Sequence, residues 1–74
     1  MDREISAHQS KAEAQRVMRR FNDLLGWEYD PYGEQCMDTG SPTGRPRTLH
    51  VDKSGEHEGW WAVLVQEAAP LAIS

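Results

Sequence analysis

Seventy-four residues make one small domain, a size at which only about 60% of the unfolded surface is buried and a core is marginal without a staple or a partner. Cys36 is the single cysteine, which excludes an internal disulfide, and a four-ligand zinc site would need His8, His50 and His57 together with Cys36 or a carboxylate. The net charge of −4 argues against general nucleic-acid binding, and no apolar run approaches the roughly 20 residues that span a bilayer.

The charge is uneven. Residues 1–26 sum to +1 and residues 27–74 to −5, so an acidic surface is expected beside whatever the second part builds. The charged start Met1-Asp2-Arg3-Glu4 leads into no apolar leader, and a lone thiol fits a reducing compartment; the expectation is a soluble, cytoplasmic protein. Because every usual staple is missing, a second copy of the chain is a candidate for extra burial.

Residues 1–9 are polar around Ile5 and are expected to fray or to add a turn to the following helix, with Ser6 and Gln9 offering a secondary start. Ser10-Lys11-Ala12-Glu13 has the pattern of a capping box, in which the serine oxygen accepts a free amide and the glutamate reaches back. From there Ala14, Val17, Met18, Phe21, Leu24 and Leu25 recur at helical spacing as one apolar stripe. Lys11, Gln15, Arg16, Arg19, Arg20, Asn22 and Asp23 fill the remaining surface. Gly26 supplies the left-handed position that ends a helix, and Trp27 is placed to fold back on the last turn.

Trp27-Glu28-Tyr29-Asp30 alternates as a short strand that Pro31 and Gly33 end or bend. Three prolines (31, 42, 46) and three glycines (33, 40, 44) then read as a long loop over 31–46, with Gln35-Cys36-Met37 able to extend the strand. Arg47 to Lys53 alternates cleanly. A polar turn over 54–59 joins it to the most apolar run, Trp60 to Glu67, as an antiparallel hairpin. Pro70 stops that strand, and Leu71 to Ser74 form a tail. The expected fold is α+β: one amphipathic helix on a three-stranded antiparallel sheet, in the order α-β-β-β.

One helix covers one face of such a sheet. Leu49, Val51, Trp27 and Tyr29 are expected beneath it. The other face should carry Glu28, Asp30, Thr48, His50 and Asp52, with either Trp60, Ala62 and Leu64 or Trp61, Val63 and Val65. Adjacent residues of a strand point to opposite faces, so Trp60 and Trp61 meet two environments and register decides which is which. The resulting expectation is an exposed apolar stripe in an acidic face, a pattern that marks interaction sites.

Several motifs compete for chemistry. Asp38-Thr39-Gly40-Ser41 matches the D-T-G-[ST] motif of aspartic proteases, in which paired carboxylates share a proton. It lacks the apolar strand before it and the bracing segment after it, and reads as an Asp/Gly/Ser turn. His50, Asp52 and His57, with Glu58 nearby, offer metal-ligating side chains without a standard spacing; they read as a solvated polar face. Cys36 has no nucleophile signature. Arg16, Arg19 and Arg20, with Lys11, Arg45 and Arg47, could grip phosphates; partial pairing with Glu13 and Asp23 is the plainer reading. No phosphate-cradling glycine loop is present, and no metal, cofactor or catalytic residue is assigned.

The reading favoured by the residues is a non-enzymatic protein-interaction module, a small acidic inhibitor or adaptor. Its partner would be a protein, met through the helix-free face by Trp60 or Trp61, Glu28, Asp30, His50, Asp52 and Tyr32. Phage-encoded proteins that block host defence are one such setting by analogy. Nucleic-acid binding through Arg16, Arg19 and Arg20 is the alternative, and a small metal-dependent enzyme using His50, Asp52 and His57 is the second.

Overall fold

The computed structural model describes residues 2–38, 40 and 44–67. Thr39, Ser41, Pro42 and the 68–74 tail, including Pro70, lie outside the described residues. The elements are β1 (Asp2–His8), α1 (Lys11–Leu25), β2 (Glu28–Tyr29), β3 (Gln35–Asp38), β4 (Arg47–Lys53) and β5 (Trp61–Glu67). They form one sheet in the order β1-β5-β4-β3-β2, each neighbour antiparallel. The chain starts at one edge, crosses through the helix to the far edge, and returns as a four-stranded meander. The α+β class agrees with the sequence; the sheet has five strands where three were expected.

The helix begins and ends where its caps dictate. Ser10 is extended, and its Oγ accepts the Glu13 amide at 3.1 Å. Gly26 is left-handed at φ 72°, and its N–H donates to the Asn22 carbonyl at 2.7 Å, the αL stop that a side chain would strain. Ala14 and Met18 are fully buried and pack with Cys36, Leu49 and Val63; Ile5, Val17, Phe21, Trp27, Val51, Trp61 and Val65 lean on that cluster. The helix rests on β4, β5 and β1. The core cluster stops short of its last turn, so Leu24 (88% exposed) and Leu25 (48%) leave the expected stripe. Asn22, expected at the surface, is instead buried.

Two strands correct the sequence reading. Residues 2–8 are an edge strand and not a fraying tail or an extra helical turn. Their alternation is hidden by a bulge between Glu4 and Ser6, which inserts Ile5 toward the core side and bends the edge, a device that discourages edge-to-edge pairing. The 31–46 segment is not one loop. It holds β3, which pairs with β2 through a turn at Pro31–Glu34 and with β4 through Cys36↔Leu49.

Register settles the faces. Leu49↔Val65 and Val51↔Val63 pair under the helix, with Trp61 in the same row. The opposite face carries Glu28, Met37, Thr48 and Gln66 in one row and Gln35, His50, Leu64 and Glu4 in the next, then Asp52 with Ala62 and Ala7. On that face Glu4 bridges to the β4–β5 turn: its carboxylate accepts the Gly55 amide at 2.7 Å and the Ser54 hydroxyl at 3.0 Å. Ser54 Oγ in turn accepts the Glu56 and His57 amides. Glu4→Ala should therefore lower stability by about 1–2 kcal/mol, the worth of hydrogen bonds to a charged acceptor. It should also speed hydrogen exchange at Gly55; an unchanged urea midpoint and exchange rate would show that the turn holds without Glu4. No helix among the described residues is long and apolar enough to cross a membrane.

Candidate interaction surface

The seven residues expected to meet a partner do not form one surface. Glu28, His50 and Asp52 do lie on the helix-free face. Asp30 follows β2 and folds onto its own hairpin, where its carboxylate accepts the Glu34 amide at 2.7 Å and the Gln35 amide at 3.2 Å. Tyr32 stands at the tip of that hairpin and is 84% exposed. Trp61 is on the helix side, with the Lys11 ammonium 5.5 Å from its ring centre. Trp60 precedes β5 and lies beside the His57 ring at 5.5 Å between centroids.

The expected exposed stripe is also absent. Ala62 and Leu64 do occupy the helix-free face, yet they are 0% and 6% exposed. They sit in a strand flanked on both sides, next to the longer side chains of Glu4, His50 and Asp52 and beneath the turn that Glu4 ties down. Local alternation could place this row on a face but could not show that its neighbours would close over it.

The exposed apolar surface is elsewhere. Six large apolar side chains are left open among the described residues, and five of them fall between positions 24 and 37: Leu24, Leu25, Tyr29, Tyr32 and Met37. They follow the helix end and the β2–β3 edge, beyond the part of the sheet on which the helix rests. Cys36 is the outermost sheet residue drawn into the core; Tyr29, its neighbour on β2, is already 44% exposed. Two shallow grooves meet at this edge. One, of about 420 Å³, runs past Leu25, Trp27, Glu28 and Met37. The other, of about 300 Å³, runs past Glu28, Tyr29, Pro31 and Met37. The same stretch is acidic: residues 21–44 contain Asp23, Glu28, Asp30, Glu34 and Asp38 and no lysine, arginine or histidine. That run of unbalanced acid was readable in the sequence. The exposure of Leu25 was not, because helical spacing assigned it to the core.

The other candidates take structural positions. Asp38 accepts the Gly40 amide at 3.2 Å and both Nε and Nη2 of Arg47; Arg47 also lies 5.2 Å from the centre of the Trp27 ring. The Asp38 carboxylate is thus engaged in closing a turn and pairing an arginine, the turn reading of that motif. Among the described residues no group of three His, Cys, Asp or Glu side chains could hold a metal ion, so His50, Asp52 and His57 are not brought together. Cys36 is buried, and burial pushes its thiol up; the Asp30 carboxylate adds to the rise and Arg19 opposes it. A thiol held protonated in this way is a poor nucleophile. Arg16, Arg19 and Arg20 are exposed and pair with no carboxylate among the described residues. Glu13, one expected partner, stands 3.7 Å from His8 Nδ1 instead.

Comparison with protein-family models, with curated proteins and with solved structures finds no match to this chain.

Proposed function

We propose that this chain is a non-enzymatic protein-interaction module, a small acidic inhibitor or adaptor that meets its partner at the β2–β3 edge. One observation carries the reading: exposed large apolar side chains and an excess of acid coincide on residues 21–44, while the rest of the described surface shows one such apolar side chain, Trp60. Exposed large apolar side chains concentrated beside a polar rim suit a recognition site and are scarce on an isolated fold. The surface takes in Glu28 and Tyr32 from the sequence reading and replaces Trp60, His50 and Asp52 with Leu25, Tyr29 and Met37. A phage-encoded blocker of host defence is a setting that this size and charge would suit, by analogy alone.

Position-specific photo-crosslinking tests it. A benzoylphenylalanine at Tyr32, in cells that naturally carry the protein, should give one discrete heavier species. The same probe at Gln9 or Glu56, both exposed and away from this edge, should not. Equal adducts from all three positions, or none from Tyr32, would overturn the proposal.

A second reading draws on the unpaired Arg16, Arg19 and Arg20. Three unpaired arginines close together on one helix could neutralise phosphates, with affinity falling steeply with salt. It predicts a gel shift with mixed DNA and RNA at low salt that Arg19→Glu abolishes. The absence of any shift would end it.

A further inference from the structure

We infer that the grooves at the β2–β3 edge receive an amphipathic helix of a protein partner, one whose contacting face combines leucine-like with lysine or arginine side chains. This rests on the interaction reading above and adds the partner's chemistry to it.

Charge comes first. The stretch 21–44 carries five carboxylates and no base. Arg47 neutralises one of these, Asp38, and lies against Trp27; four carboxylates remain. The last turn of α1 contains no basic residue, so the negative end of the helix dipole is uncompensated at the same place. Glu28 is exposed and lines both grooves. A cation from a partner would complete this edge, whereas nucleic acid is repelled by it. A second copy docked by the same surface under two-fold symmetry would oppose acid with acid, since such an interface is built from one patch twice.

The backbone then decides the form of the partner. Asp30 N–H donates to the Gln35 carbonyl, so by antiparallel alternation Glu28 and Asp30 address β3 while Trp27 and Tyr29 address the outside. An added strand would need those outward groups. Both of Trp27's are taken: the Asn22 amide donates to its carbonyl at 2.9 Å and accepts its N–H at 3.0 Å. Pro31, the next outward residue, has no N–H. Only Tyr29 is left with a free pair, too little to extend a sheet. The partner therefore binds through side chains alone. Leu25 and Met37, 48% and 40% exposed, border one groove, and Tyr29, 44% exposed, borders the other with Met37; apolar anchors along two adjoining grooves suit the apolar face of a helix.

The test uses three 14-residue peptides: an amphipathic Leu/Lys helix, the same helix with glutamate for lysine, and a Lys/Ser peptide of equal charge. Titrated into the ¹⁵N-labelled full chain, the Leu/Lys helix should bind, with amide shifts confined to residues 24–30 and 35–38. The Lys/Ser peptide should bind more weakly by roughly tenfold or more, and the glutamate helix not at all. Glu28→Lys and Leu25→Ser, both at exposed positions, should each weaken the Leu/Lys helix by roughly tenfold while leaving the unperturbed part of the spectrum in place. Equal binding of the glutamate helix, shifts centred elsewhere, or no binding of the Leu/Lys helix would overturn the inference. If the Tyr32 crosslink forms and the Leu/Lys helix does not bind, the partner chemistry is wrong and the interaction reading stands; if neither occurs, both fall.

Discussion

Asn22→Leu should destabilise the domain by about 2–4 kcal/mol, although leucine is close to isosteric and a good helix former. Asn22 is 3% exposed. Its side chain binds the Trp27 backbone at both ends: Nδ2 donates to the Trp27 carbonyl at 2.9 Å, and Oδ1 accepts the Trp27 N–H at 3.0 Å. The amide thereby stands in for the strand that β2 lacks on its outer side. Leucine removes two hydrogen bonds and strands a donor and an acceptor in a part-buried place, and the stranded pair is the larger loss. A fold of this size has only about 4–11 kcal/mol in hand, so the variant should unfold at much lower urea. Asn22→Asp tests the mechanism more finely. It keeps the acceptor for the Trp27 N–H but sets a carboxylate against the Trp27 carbonyl, so it should also destabilise. If Asn22→Leu melts within about 0.5 kcal/mol of the parent, a typical effect for an unengaged surface site, the capping role is wrong.

Asn22 also shows where reading from sequence stops. The helix limits were legible because caps are local: Ser10 and Gly26 act on amides and carbonyls within one turn of themselves. The β4–β5 hairpin was legible because alternation on both sides of a polar turn is local as well. Asn22 follows the arginine-bearing turns of Arg16, Arg19 and Arg20, stands next to Asp23 and reads as surface, and only the return of Trp27 over the helix end buries it. β1 was hidden for a related reason. Its partner is β5, almost the whole chain away, and the bulge at Ile5 breaks the period-two pattern that would announce a strand. β3 has four residues inside a glycine- and proline-rich stretch, and it exists because β4 offers it an edge. Leu24 and Leu25 fit the apolar period and are nonetheless exposed, because the core cluster stops short of the last helical turn. The surface proposed for recognition is built from these non-local outcomes, so the sequence yielded its charge and not its apolar half.

Trp61→Ala and Trp60→Ala should differ sharply in stability. Trp61 pairs with His8 on one side and Lys53 on the other, leans on the core beneath the first turn of α1, and has the Lys11 ammonium above its ring. Truncation opens a cavity that a helix resting on three strands cannot close. A fully buried tryptophan loses about 3–5 kcal/mol in such a change; with its partial exposure Trp61 should lose about 2–4 kcal/mol. Trp60 is 38% exposed and touches the His57 ring. The bonds that shape its turn, Ser54 N–H to the Trp60 carbonyl and Trp60 N–H to the His57 carbonyl, are main-chain and survive truncation. Its loss should be about 1 kcal/mol or less. Urea denaturation of the two variants side by side decides this, and equal destabilisation would mean that the two tryptophans do not occupy opposite faces. Crosslinking from Tyr32 adds a further discriminator. Alternation alone suggested that one tryptophan would meet the partner. With the open surface at Leu25, Tyr29 and Met37, Trp60→Ala should leave the Tyr32 adduct intact, whereas Leu25→Ser should abolish it in a chain that remains folded.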